Sequence, residues 1–485
     1  MLFAWSFDLR LAILCTEKPE ERLFICVERV LRITLQYITV TKGKNVMKKI
    51  SFIGAGSLQF TSSCVRDLLT FPNFKECEFA LMDTNAKNLA YITKVVEKIV
   101  AAMGCADTCK ISPTMDRSEA LKDADGVLCT VFNGDVDIWK HEILIPKKYG
   151  IDINIGDTRS VSGIFRALRN IPLMLDICAD IEKYCPNAVF LNYTNPMSML
   201  CGAMQKYSNV QVTGLCHSVQ GTIGMLAAWL KIPVSEISYK CMGVNHQAFY
   251  TELTHKGENL YPKLRELILS DKEVYDREQV RNEMFLKLGY YVTESSGHNS
   301  EYNQWFRKRP DLIEKYCTHS TDWNPGEYAF SLNLRTERNK NPEKMYEDFL
   351  ARDVDTNKSQ EYAADIFNAC IGDGKPFVFN GNVQNHGSIP NLPFDACVEV
   401  PVVADRMGFK TTIAGELPAH LAILVNTTAR VENLAIQAAV EKRKELVYYA
   451  VYNDPLSSAV CSLDEIKNMC DELFEVNKDY LGDYR

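Results

Sequence analysis

Residues 49–69 (KISFIGAGSLQFTSSCVRDLL) restrict the fold of this chain more than any other stretch. Residues 50–54 are an apolar run without polar alternation, the pattern of a strand buried on both faces of a parallel sheet. The run ends in glycine, and residues 62–69 then read as a helix. In Gly54-Ala55-Gly56-Ser57 the first glycine permits a tight turn, and the second lets backbone N–H groups approach a pyrophosphate at the helix N-terminus. A second strand over residues 79–82 ends at Asp83, placed to accept both hydroxyls of a ribose and to repel a 2′-phosphate. Gly54, Gly56, Ser57 and Asp83 are therefore the candidate contacts for NAD, in preference to NADP. The usual third glycine is missing, with Gln59, Phe60 and Thr61 in its region. The alternative is a glycine turn in an ordinary α/β protein, with Asp83 as a helix cap.

The same alternation continues downstream. Residues 88–103 carry apolar side chains at helical spacing, residues 126–132, 188–191 and 212–215 read as strands, and residues 222–230 as a helix. Strands alternating with helices predict an α/β fold: a Rossmann-like, doubly wound parallel sheet covered by helices on both faces. From about residue 246 the pattern loosens into long polar and aromatic segments with helices at both ends. This predicts a Rossmann domain over 47–245 and an α+β domain over 246–485 for substrate, metal and oligomerisation.

Residues 1–46 contain apolar runs broken by Asp8, Arg10 and the charged residues 18–22. The longest clean run near the start, residues 11–15, is far short of a signal-peptide core or a membrane span. A strand begins directly after Met47, and the codons of Lys42-Gly43 would resemble a ribosome-binding site. Met47 is thus the expected start and 1–46 a translated leader, with a genuine amphipathic extension as the alternative. A formal net charge of -8 argues against a nucleic-acid or anionic-membrane partner. The 17 cysteines are odd in number and lack C-x-x-C spacing, which predicts a reduced, cytoplasmic protein with buried thiols.

Cys216, in GLCHSVQGT, and His246, in GVNHQAF, each follow an apolar segment at the expected C-terminal edge of the sheet, where α/β proteins build sites. A thiol and an imidazole are soft metal ligands, and two protein ligands leave positions open for substrate oxygens. Spacing alone leaves the alternative open that Cys216 is a core residue.

Several segments together resemble the NAD-dependent glycoside hydrolases of family four: GAGS, Asn192-Tyr193-Thr194-Asn195-Pro196-Met197, GLCHSVQGT, GVNH, VTESSGHNSEY and NHGSIPNLPFDACVEV. The likeness runs from about Met47 to the C-terminus. CHSVQGT and VTESS look most like the melibiose-type α-galactosidases, and the residue after the cysteine differs from that of members cleaving 6-phosphosugars. The resemblance implies chemistry outside the usual two-carboxylate scheme, to which this family is an exception. NAD⁺ takes the C3 hydride of the sugar, and a divalent cation, Mn²⁺ or another, stabilises the enediolate formed when a base removes the C2 proton. The glycosidic oxygen leaves, water adds, and the hydride returns.

Carried over residue by residue, the resemblance makes Cys216 and His246 the metal ligands and Asn195 a contact to a substrate hydroxyl. His217 becomes a proton donor to the leaving oxygen, or an orienting group for the metal site. Asp157, in GDTRSVSG, becomes a substrate contact, or else a helix cap. The C2 base aligns with Tyr302, with His298 and Glu294 as alternatives. Small-molecule glycosides, α-galactosides foremost, are the implied substrates, and a homodimer or homotetramer the implied assembly. Within the family, α-glucosidase and α-galacturonidase remain alternatives. Outside it stands a lactate- or malate-type 2-hydroxyacid dehydrogenase, which shares this domain plan and could use Arg166 and Arg169 on a carboxylate.

Overall fold

The computed structural model describes residues 47–319, 321 and 323–485, so the reading of residues 1–46 lies outside the described residues. β1 (Lys48–Ile53) pairs in parallel with β2 (Cys77–Met82) on one side and β4 (Gly126–Cys129) on the other. β3 (Lys110–Thr114), β5 (Val189–Asn192) and β6 (Val212–Gly214) complete six parallel strands in the order β3-β2-β1-β4-β5-β6, that of a dinucleotide-binding fold. Both faces of this sheet are covered. Phe52 packs into a core with Leu68, Ile92 and Phe367, whereas the next residue, Ile53, packs on the other face with Val127, Phe165 and Ile177. Two-sided burial is the reason the strand is apolar at successive positions.

The longer helices between the strands are α1 (Leu58–Leu69), α2 (Ala86–Ala102), α3 (Val136–Lys148), α4 (Ser160–Tyr184), α5 (Met197–Tyr207) and α6 (Ser218–Leu230). α2 is capped by Asn85, whose side chain accepts from the N–H groups of Lys87 and Asn88. The strand expected over 126–132 stops at Cys129. Beyond it the chain turns out of the sheet, and the Val131 N–H is satisfied by the Thr194 hydroxyl at 3.0 Å instead of a neighbouring strand. β3, half exposed and interrupted by Pro113, carries no apolar run from which to predict it.

The second half extends the same sheet. β7 (Ile237–Val244), β8 (Gln247–His255) and β9 (Glu258–Asn259) form one antiparallel edge. β10 (Phe377–Gln384) and β11 (Cys397–Asp405), with β12 (Gly408–Thr411) paired to β11, join that edge to β6. The boundary expected near residue 245 falls in the tight turn between β7 and β8. Four more helices matter below: α7 (Ser296–Tyr302), α8 (Phe330–Arg338), α9 (Lys344–Ala351) and α10 (Ala419–Glu441), the last packed on α4 and α5. Among the described residues no helix is long and apolar enough to cross a membrane.

Candidate active site

The glycine turn after β1 is tied to the end of β2. The N–H groups of Gly54 and Ala55 both reach the Met82 carbonyl at 2.9 Å, and Gly56 N–H donates to the Asp83 carboxylate at 2.8 Å. The other Asp83 oxygen accepts from Asn85 N–H at 2.8 Å. Gly54 has a φ of +81°, and a Cβ there would lie 2.6 Å from the Thr130 carbonyl oxygen. A Cβ on Gly56 would lie 2.7 Å from the Asp83 carboxylate. Side-chain-free backbone, a carboxylate at the second strand end and Ser57 at the N-cap of α1 are what a dinucleotide pyrophosphate and ribose require. From the distant α9, Tyr346 adds a hydroxyl donated to the Gly56 carbonyl.

Cys216 and His246 meet although thirty residues separate them: Cys216 Sγ lies 3.1 Å from His246 Nε2. Glu294 joins them, one carboxylate oxygen 3.3 Å from His246 Nε2, and the three donor atoms fall within 4.8 Å of one another. Sulfur, nitrogen and oxygen donors in one triangle fit a divalent cation. His246 and Glu294 both have left-handed backbones, with φ of +62° and +65°. For side chains with a Cβ that costs roughly 1–2 kcal/mol each, which the surrounding fold must offset. The buried His246 imidazole is pushed down to about 4, so it is neutral and free to ligate at pH 7. Burial also opposes ionisation of Glu294, but His246 and His298 outweigh it and hold the carboxyl down to about 2. The Cys216 thiol is pushed well up by burial and by the carboxylates of Glu294 and Glu399, a bias that a bound dication reverses.

A polar chain leads away from this triangle. Glu294 contacts His298 Nδ1 at 3.2 Å, and His298 Nε2 lies 3.9 Å from Asp157. The Asp157 loop is held by a buried carboxylate: Glu301 accepts from the N–H groups of Asn154, Ile155 and Gly156 at 2.8–2.9 Å. Tyr302 lies beneath His246, its hydroxyl 3.1 Å from Nδ1. Nδ1–H donating to the phenol oxygen is the tautomer that leaves Nε2 free for a cation. Burial, Asp157 and Glu301 push the Tyr302 phenol well up, while the Arg159 guanidinium, 4.8 Å above its ring, acts in the opposite sense.

His217 lies against Phe60 of α1, with Nδ1 3.5 Å from Glu361. The second Glu361 oxygen accepts from the Tyr193 hydroxyl at 2.8 Å. The buried Asn195 Oδ1 has no hydrogen-bond partner among the described residues, as expected of a group awaiting a ligand. Glu399 is fully buried beside the turn at Asn245 and His246, and burial pushes it up to about 8. Arg169 is consumed by a fully buried pair with Glu142 and by Asn477, which removes it as a carboxylate binder. Sequence reasoning did not place Glu294 as a ligand, nor find Arg159, Glu301, Glu361 or Glu399. Glu294 and Glu301 stood in the VTESSGHNSEY segment, but nothing local marked which carboxylate faces the thiol.

Two family models match most of the chain: "Family 4 glycosyl hydrolase" over residues 49–232 and "Family 4 glycosyl hydrolase C-terminal domain" over residues 241–457. The chain belongs to family 4 of the glycosyl hydrolases. This family 4 enzyme is 39% identical to an α-galactosidase of Bacillus subtilis (strain 168) over 443 residues, 90% of this chain and 100% of that protein. It is 36% identical to an α-galactosidase of Rhizobium meliloti (strain 1021), covering 90% of this chain and 89% of the relative. Its fold matches the 6-phospho-β-glucosidase of Thermotoga maritima, solved with manganese, NAD⁺ and glucose-6-phosphate. That match has a TM-score of 0.70 at 22% identity and covers 89% of this chain and 99% of the other. Family membership sets the 2-hydroxyacid dehydrogenase alternative aside, and the α/β Rossmann-like architecture is as expected from sequence.

Proposed function

We propose that this family 4 glycosyl hydrolase is an NAD- and divalent-metal-dependent α-galactosidase. The observation that carries the reading is the Cys216–His246–Glu294 triangle in a chain that also holds a glycine cradle ending at Asp83. The α-galactosidase relatives, alike over 90% of the chain, direct the reading to that sugar. Gly54, Gly56, Ser57 and Asp83 would hold NAD, and Cys216, His246 and Glu294 would hold Mn²⁺ or a similar cation. When bound, the coenzyme supplies reversible oxidation at C3 of the sugar and the cation supplies polarisation of the neighbouring oxygens.

The chain's own residues supply the proton transfers. Tyr302 takes the C2 proton; burial, Asp157 and Glu301 oppose its phenolate, so the Arg159 cation over the ring, the imidazole N–H on its oxygen and a bound dication would have to offset them. His217, oriented through Nδ1 by Glu361, gives a proton to the departing glycosidic oxygen. Asn195 and Asp157 bind sugar hydroxyls. In this reading residues 47–245 carry the coenzyme and residues 246–485 complete the site and the contacts of a cytoplasmic homodimer or homotetramer, which light scattering would test.

The deciding assay is hydrolysis of p-nitrophenyl α-galactoside with NAD⁺, Mn²⁺ and a thiol reductant, omitting one component at a time. Omitting either NAD⁺ or Mn²⁺ should abolish turnover. Full activity of thoroughly stripped enzyme would overturn the reading.

A further inference from the structure

Beyond His298 stands Trp323, an aromatic side chain that the proposed mechanism leaves unused. It is 54% exposed, yet its ring centre lies 6.5 Å from that of His298, the residue between Glu294 and Asp157 in the polar chain. Phe330, which opens α8, packs beside it with ring centres 5.9 Å apart. Isolated exposed apolar side chains are ordinary. Trp323 differs because the fold fixes it next to the site. Thr321 and Asn324 exchange backbone hydrogen bonds of 2.9 and 3.1 Å around it. The fully buried side chains of Asn324 and Asn154 exchange two more, at 2.7 and 3.1 Å. Asn154 begins the loop that Glu301 holds before Asp157. The N–H groups of Ala329 and Ser331 donate to the carbonyls of Ile153 and Asn154, at 2.7 and 3.2 Å, and so fasten the Phe330 end to the same loop.

One rigid unit thus carries a carboxylate and an aromatic surface, both against His298. The Asp157 carboxylate is partly open to solvent and can accept from a hydroxyl. An indole face is negative at its centre and attracts polarised C–H groups, which need no hydrogen-bond partner. A pyranose ring offers both kinds of surface. In galactose the axial 4-hydroxyl leaves the hydrogens on C3, C4 and C5 and the C6 methylene as one apolar patch. The equatorial 4-hydroxyl of glucose interrupts that patch. A tryptophan, with two side-chain torsions, covers such a patch at small entropic cost.

We propose that Trp323 is the stacking platform for the galactosyl ring and the residue by which this enzyme tells galactosides from glucosides. The inference rests on the proposed function, in which Asp157 and the metal triangle hold the sugar. The polar chain toward Trp323 starts at Glu294, whereas His217, the donor to the departing oxygen, lies against Phe60 and Tyr193. Trp323 therefore meets the C4–C6 edge of the sugar, away from the bond that breaks. Asp157 takes a hydroxyl there and Trp323 takes the hydrocarbon. The platform acts without a net charge, so the selectivity persists at high salt.

The test measures binding of D-galactose and D-glucose by calorimetry to the full chain with NAD⁺ and Mn²⁺ present, alongside hydrolysis of p-nitrophenyl α-galactoside and melibiose. Wild type should prefer galactose by at least about tenfold. Trp323→Ala should bring the two sugars within about threefold by weakening galactose alone, with NAD⁺ affinity and Tm unchanged. Trp323→Phe, which keeps an aromatic face, should retain a preference of about fivefold or more. Galactose should also shift the tryptophan fluorescence of wild type, and the shift should vanish in Trp323→Phe. No preference in wild type, or an unchanged ratio in Trp323→Ala, overturns the proposal. So does a loss confined to melibiose with galactose binding intact, because Trp323 would then hold the departing glucose. A change of oligomeric state by light scattering with the sugar ratio intact overturns it too, since the indole would then serve a neighbouring subunit. Absent α-galactoside hydrolysis together with a galactose ratio that responds to Trp323→Ala would defeat the proposed activity and leave the platform standing. The opposite combination would defeat the platform alone.

Discussion

Cation binding by the Cys216–His246–Glu294 triangle should release one proton per ion, and pH exposes this directly. At pH 6–8 the His246 imidazole, held down to about 4 by burial, carries no competing proton. Glu294, held down to about 2 against its own burial by His246 and His298, carries none either. The Cys216 thiol, pushed well up by burial and the Glu294 and Glu399 carboxylates, is protonated throughout and must lose its proton to ligate. The sign follows: affinity for Mn²⁺ rises with pH, by about tenfold per unit, which is about 1.4 kcal/mol, and by roughly 100-fold from pH 6 to pH 8. Free Mn²⁺ measured by electron paramagnetic resonance gives the affinity, and calorimetry in two buffers of different ionisation enthalpy counts the proton. Cys216→Ser should weaken binding and flatten the slope. A slope of zero in wild type would mean that the thiol does not ligate, and a slope of two that a further protonated group does; either result refutes the reasoning.

Four further outcomes are expected. Gly56→Ala places a Cβ 2.7 Å from the Asp83 carboxylate, so NAD⁺ affinity measured by fluorescence should fall by about tenfold or more. Arg169→Met strands the Glu142 carboxylate in a fully buried position, so stability should fall by about 3–5 kcal/mol and the Tm by several degrees in a thermal melt. Glu361→Gln should slow cleavage of melibiose, whose glucose is a poor leaving group, by about tenfold while hardly affecting p-nitrophenyl α-galactoside; equal loss on both would assign Glu361 to packing. Deuterium at C2 or C3 of the sugar should slow turnover, and the lack of both effects would argue against elimination.

Much of this protein was legible in one dimension because its chemistry is local there. A buried parallel strand, a glycine turn and a helix must follow one another to make a nucleotide cradle, so residues 49–69 and Asp83 declare it. The same holds for the residues after β5 and β6, Asn195, Cys216 and His217, which sit where parallel strands end. Other features depended on contacts between distant segments. β10 joins β6 through Asn382 and Gly214, a pairing that no local periodicity encodes. Glu294 comes beside Cys216 and His246 only because the chain before α7 returns to β8, and a carboxylate among serines announces no partner. Arg166 and Arg169 are alike in sequence and three residues apart on one helix. Packing gives Arg169 a buried acid and leaves two Arg166 donors without a partner among the described residues. Strand and turn propensities act over a few residues and can be read along the chain. Ligand geometry, charge balance and burial arise between elements and exist only once the sheet has closed.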